Sequence, residues 1–196
     1  IAENIGVPIT YIQTSWPTLT KDVLNETLFD FAIGGITITN TRRETMDMSD
    51  GYLANGKTIL CRKKDVNKFK SLIDMNKSTV RVMGNPGGLN EKFAREKLPH
   101  AKIIVYQRNE EIPTQVAMGK ADVMITEITE APYYVKTDKR LAAPLLDQPF
   151  THGEIGVLMR RGQEDLLKLV NSTISRMKQD GSLQKLHEKY SLIYKY

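Results

Sequence analysis

Three features of the chain combine residue types and spacings that could do chemistry. Glu127 and Glu130 close the apolar stretch Asp122–Thr126, at the C-terminal end of a strand, where open α/β sheets bind their ligands. A loop of Asn85-Pro86-Gly87-Gly88 leads into the helical pattern Asn90–Lys97. Backbone N–H groups and the positive end of a helix dipole meet at such a junction and suit an anion. Arg42 follows Gly34-Gly35-Ile36-Thr37-Ile38-Thr39, and a guanidinium can fork onto a carboxylate with two parallel hydrogen bonds. Each feature has a purely structural reading as well. Arg42, beside Arg43 and Glu44, reads equally as a solvated turn, and the glycine loop as a tight turn. The acids would stabilise the start of a helix capped by Thr129, with Pro132 in its first turn. The glycine loop is too short for a dinucleotide fingerprint and lacks the lysine-serine ending of a P-loop.

The elements that must position these residues follow from periodicity. Thr79–Met83, Lys102–Tyr106 and Asp122–Thr126 read as strands, separated by helices at Asn90–Lys97 and Glu111–Met118, the second closed by Gly119. Strands alternating with helices across short connections predict a parallel sheet. Val7–Thr14, Phe29–Gly34, Tyr52–Arg62 and Ile155–Arg160 are further predicted strands, and Thr18–Glu26 a helix. Glu164–Gln179 carries Leu166, Leu167, Val170, Ile174 and Met177 on one face, and Gly181 separates it from a last helix near Leu183–Tyr190. Strands on both sides of the 79–127 block predict one lobe inserted into another, with residues 1–60 plus 153–196 in the first and 61–152 in the second. Ile1–Gly6 reads as the last turn of a helix, so a segment is expected before Ile1; no signal peptide is visible.

Composition bounds the rest. The chain has 196 residues, 40% of them hydrophobic and 26% charged, enough to bury a core. Its net charge of +5 is spread as mixed runs such as Arg62-Lys63-Lys64-Asp65, which fits a solvated surface and argues against a nucleic-acid partner. One cysteine, Cys61, excludes an internal disulfide and reads as core, and three scattered histidines offer no metal-ligand spacing. No apolar run approaches the ~18 residues of a membrane span. No metal, cofactor or membrane insertion is expected.

The strings Phe29-Asp30-Phe31-Ala32-Ile33-Gly34-Gly35-Ile36-Thr37-Ile38-Thr39-Asn40-Thr41-Arg42 and Met48-Ser49-Asp50-Gly51-Tyr52 resemble the polar amino-acid class of periplasmic solute-binding proteins. Within that class, Trp16-Pro17-Thr18-Leu19, Asn85-Pro86-Gly87-Gly88-Leu89-Asn90-Glu91 and Met124-Ile125-Thr126-Glu127-Ile128-Thr129-Glu130 resemble the cyclohexadienyl dehydratase branch. The resemblance implies an α/β fold of two lobes, each with a mostly parallel central sheet flanked by helices, the first lobe discontinuous. It implies a small carboxylate or amino acid held in the cleft between the lobes, a bacterial periplasmic or extracytoplasmic location, and a membrane ABC importer as partner. By the same resemblance Arg42, Thr37, Thr39, Trp16, Gly88, Leu89, Asn90, Glu127, Thr129, Glu130 and Gln148 contact ligand. Relatives hold a ligand ammonium with an acid in the Glu127 region, and in the dehydratases the residue matching Glu130 is the general acid. Two departures stand out. Leu89 occupies a position where relatives place a hydroxyl, and Glu127 one where they commonly place aspartate. These, with no lysine after Glu154, favour a binding protein; Glu130, Trp16 and the glycine loop favour a prephenate or arogenate dehydratase.

Overall fold

The structure is a computed structural model, and it describes residues 1–190. The chain begins with α1 (Ala2–Ile5), α2 (Leu19–Leu24), β1 (Phe31–Ala32), α3 (Asn40–Thr45), β2 (Met46–Met48) and β3 (Leu53–Asn55). It continues through β4 (Lys57–Arg62), α4 (Leu72–Met75), β5 (Arg81–Gly84), α5 (Leu89–Lys97), β6 (Lys102–Val105), α6 (Ile112–Ala117) and β7 (Val123–Glu127). It ends with α7 (Ala131–Thr137), β8 (Leu141–Ala142), β9 (Gly153–Ile155), β10 (Leu158–Arg160), α8 (Glu164–Gln179) and α9 (Ser182–Lys189). Two compact units result: Ile1–Asn55 together with residues 153–190, and Gly56–His152.

In the first unit β10 pairs antiparallel with β1 on one side and β2 on the other, and β3 pairs antiparallel with β9. Alternation along β10 divides the apolar residues between two clusters. Leu158 joins Leu19, Val23, Ala32, Met46 and Met48, while Val157 and Met159 join Val170 and Ile174 of α8. The stripe predicted for Glu164–Gln179 is therefore the face that packs, and Gly181 turns the chain with a φ of 75°. Every ladder described in this unit is antiparallel, whereas mostly parallel sheets were expected. The predicted strand Val7–Thr14 is also irregular. Ile9 and Tyr11 are exposed, and among the described residues no strand lies alongside to accept its N–H groups.

The predicted strand Tyr52–Arg62 is split at Gly56. A Cβ there would lie 2.2 Å from the Thr151 carbonyl oxygen, so only glycine permits this close passage. Beyond it the chain changes partners: Lys57–Cys61 pair with Glu127–Val123. Residues 57–60, expected with the first lobe, thus belong to the sheet of the second unit.

That sheet has the order β6-β5-β7-β4-β8. β5 runs parallel to β6 and β7, as the strand–helix alternation of 79–127 predicts, while β4 runs antiparallel to β7 and β8. Its two faces are covered separately. Ile59, Cys61, Val82, Val123 and Ile125 pack with Phe93, Ala94 and Leu98 of and beside α5. Leu60, Met83 and Met124 pack with Ile112 and Val116 of α6 and with Tyr134 and Val135 of α7. Cys61 is fully buried, and burial pushes its thiol up to about 12, so it is an inert core residue. Just before the central strand β7, Asp122 bridges Arg81 of β5 (2.8 Å) and Arg62 of β4 (3.0 Å).

Candidate functional site

The chemistry-bearing residues of the second unit gather where β4, β7 and the start of α5 meet. β5 stops at Gly84, Gly87 turns with a φ of 71°, and α5 begins at Leu89 with Gly88 as its N-cap and no side-chain cap. A helix that starts this way leaves first-turn N–H groups to be satisfied by something else. Just before the helix, Glu91 Oε2 accepts from the Gly87 N–H at 3.0 Å. This hydrogen bond, with that of Arg95, holds the Glu91 carboxyl below its ordinary range. A Cβ on Gly88 would meet Asn85 Nδ2 at 2.9 Å, so the Asn85 side chain packs directly against the glycine. Leu89 and Asn90 are the first two helical residues, so the helix starts one residue earlier than its pattern predicted.

Register places Lys57 directly opposite Glu127 on the neighbouring antiparallel strand. Its ammonium is bonded to Glu127 Oε1 and donates to Asn90 Oδ1 at 2.6 Å, tying both strands to the first turn of α5. Lys57 and Glu127 are each only 7% exposed, an ion pair withdrawn from water. The Lys57 backbone is held too, its N–H donating to Thr151 Oγ1 at 2.9 Å and its carbonyl accepting from Phe150 N–H at 2.8 Å. Lys57 is absent from the residues singled out by sequence. The available signal was a lone lysine heading the fully buried run Thr58–Cys61, where a charge needs a partner.

Glu130 belongs to a different environment. Thr126 and Glu127 are adjacent on β7 and face opposite sides of the sheet. Glu130 Oε2 accepts from Thr126 Oγ1 at 2.8 Å, on the side of α6 and α7. There it lines a 560 Å³ cavity with Thr129, Tyr133, Tyr134 and Glu110, a cavity that Lys57, Gly88 and Asn90 do not line. Burial pushes the Glu130 carboxyl above the ordinary range and the charge of Glu127 adds to this, while the Thr126 hydroxyl and Lys57 oppose it. Burial and the Glu130 charge likewise raise the Tyr134 phenol. The predicted cap is displaced: Glu130, not Thr129, stands at the N-cap position of α7, with Pro132 in the first turn as expected. Thr129 is buried.

In the first unit, Thr39 caps α3, its Oγ1 accepting from Arg42 N–H at 3.2 Å. The Arg42 guanidinium, half-buried, donates to the Thr37 carbonyl at 2.5 Å, and Thr37 Oγ1 accepts from Asn55 Nδ2 at 3.3 Å. Trp16 is half-buried against the Leu19–Val23–Met46 cluster and lines a largely apolar recess of 760 Å³ with Phe29, Phe31 and Ile33. Gln148 and His152 are exposed. The sequence-derived residues therefore divide into Trp16, Thr37, Thr39 and Arg42 in one unit, and Gly88, Leu89, Asn90, Glu127, Thr129, Glu130 and Gln148 in the other. Among the described residues, no group of acids, histidines or cysteine could hold a metal ion, and no helix is long and apolar enough to cross a membrane.

Comparison with known proteins adds an independent line. The family model of bacterial extracellular solute-binding proteins, family 3, matches residues 1–193. The cyclohexadienyl dehydratase of Pseudomonas aeruginosa is 34% identical over 188 residues, covering 96% of this chain and 69% of that protein. The ABC transporter glutamine-binding protein of Bacillus subtilis is 29% identical over 161 residues, covering 82% of this chain and 57% of that protein. Among solved structures, an ancestral amino acid-binding protein described as a precursor of cyclohexadienyl dehydratase superposes with a TM-score of 0.89. Its identity is 36%, over 96% of this chain and 80% of that one.

Proposed function

We propose that this chain, which belongs to the family 3 bacterial extracellular solute-binding proteins, binds a polar amino acid or related small carboxylate and delivers it to a membrane ABC importer from an extracytoplasmic location. The observation that carries this reading is the convergence of hydrogen-bond donors at the start of α5. First-turn amides with no side-chain cap stand at the start of α5, where Asn90 is held by Lys57, and the positive end of the helix dipole there favours an anion. Gly88, Leu89 and Asn90 are the proposed contacts there, Leu89 presenting an apolar group. Arg42 and Thr37 of the first unit are further candidates by resemblance, a guanidinium being suited to a carboxylate. The glutamine-binding relative, an ABC transporter protein, supports the importer as partner.

The test is calorimetric titration of the purified protein with polar L-amino acids and small carboxylates. Saturable binding that Arg42→Ala and Asn90→Ala each weaken at least about tenfold, some 1.4 kcal/mol, is the expected result. A folded sample that binds none of them sinks the reading.

A second reading has a specific observation in its favour. A carboxyl raised by burial can keep its proton near neutrality, which is what Glu130 would need to protonate a departing hydroxide while carbon dioxide leaves prephenate or arogenate. Against it, Glu130 lines a cavity that the α5 donors do not share. Incubation with prephenate and with L-arogenate, following phenylpyruvate or phenylalanine, separates the two readings. Turnover abolished by Glu130→Gln establishes the dehydratase, and absence of turnover from a ligand-binding sample leaves the binder.

A further inference from the structure

An amino-acid site must provide for two charges, the α-carboxylate and the α-ammonium. Donors for the carboxylate stand at the first turn of α5. The carboxylate at the adjoining strand end that would face an ammonium is Glu127, and it already carries one: Lys57 is bonded to it from the opposing strand, with the pair buried. Strand register puts these two residues face to face, and backbone hydrogen bonds on both sides of Lys57 keep the strand in place. The ammonium has three N–H donors. Glu127 and Asn90 take two, and the third has no acceptor among the described residues.

We infer that Lys57 makes this site selective for small carboxylates that carry no α-ammonium, such as 2-oxo acids, over the corresponding amino acids. This deepens the solute-binding reading and rests on it. A second ammonium brought beside Lys57 would meet like charge in a site withdrawn from water, with Glu127 already neutralised, and juxtaposed like charges are a means of rejecting a wrong partner. A 2-oxo or hydroxy group offers an acceptor to the remaining Lys57 N–H instead. The lysine thus supplies from within the protein the cation that an amino acid would bring with it.

The test is calorimetry on the full chain with matched pairs: L-glutamate against 2-oxoglutarate, L-leucine against 4-methyl-2-oxopentanoate, and L-phenylalanine against phenylpyruvate. The expected result is that, in each pair that binds, the 2-oxo acid binds at least about tenfold more tightly, a margin of some 1.4 kcal/mol. Lys57→Met, which keeps the stem and removes the charge, should erase or reverse that preference. Glu127→Gln, which leaves the ammonium unneutralised, should widen it, and provides the comparison if Lys57→Met does not fold. Wild-type protein that binds the amino acid as tightly as its 2-oxo partner overturns the selectivity while leaving the solute-binding reading intact. A folded Lys57→Met variant with unchanged preference does the same. Failure of every ligand to bind removes both.

Discussion

Glu127 and Glu130 stand three residues apart in sequence, yet the two faces of β7 give them opposite electrostatic surroundings. Glu127 looks toward α5 and is neutralised by Lys57, with Asn90 sharing the same ammonium. Glu130 looks toward α6 and α7 and has a hydroxyl as its hydrogen-bond partner, so burial governs it and its carboxyl is raised. The difference teaches that a pair of acids at a strand end is not by itself a pair of catalytic groups. Which one holds a proton depends on which side of a sheet supplies a bonded cation, and here Lys57 bonds Glu127 on the α5 side.

The comparison is most severely tested by removing that cation. Lys57→Met leaves Glu127 buried without its ammonium and should cost about 3–5 kcal/mol in urea unfolding, whereas Lys57→Met combined with Glu127→Leu should recover most of the loss. A double variant as unstable as the single one would mean that Lys57 acts through packing. Gly56→Ala comes next. The added methyl would lie 2.2 Å from the Thr151 carbonyl oxygen, displacing the strand that carries Lys57, and a loss of about 2–3 kcal/mol is expected by the same measurement.

Protonation sharpens the contrast further, with Asp122 as a third carboxylate of opposite behaviour to Glu130. Burial alone would raise Asp122, but hydrogen bonds from the Arg81 side chain and backbone and from Arg62 bring it well below the usual range. Its contribution is therefore present above the unfolded value of about 3.9 and lost as pH falls through the folded one. Asp122→Asn should cost about 2 kcal/mol at pH 7, with the deficit shrinking in acid. Glu130 has the reverse sign. Its folded value lies above the unfolded value of about 4.3, so stability is lost as pH rises from there through the folded value. Glu130→Gln should be neutral to about 1 kcal/mol stabilising at pH 7, and the gain should vanish near pH 4. Thermal melts of both variants across pH 3–8 would show the two slopes. Parallel slopes would mean that Glu130 is not governed by burial.

Much of this architecture was legible because local pattern and tertiary role coincide. The 79–127 block has short connections, two largely buried strands in β5 and β7, and glycine stops, and its helices and strands appear within a residue or two of expectation. The α8 stripe needed only a 3.6-residue period and a sheet to pack on. Val7–Thr14 was not legible, because alternation states that a segment can be a strand but not that a partner lies beside it. Nor was the split at Gly56, which depends on a carbonyl 95 residues away, nor the start of α7, whose N-cap position is Glu130 and not Thr129.

Sequence alone determined the elements of the 79–127 block, the core placement of Cys61 and the family strings around Arg42 and Gly88, since these depend on residue type and short spacing. Only the tertiary structure decided which acid meets a cation. Lys57 and Glu127 are 70 residues apart and become neighbours through the antiparallel register of β4 on β7. A one-residue slip of that register would turn Lys57 to the other face, toward Glu130, and exchange the surroundings of the two carboxylates.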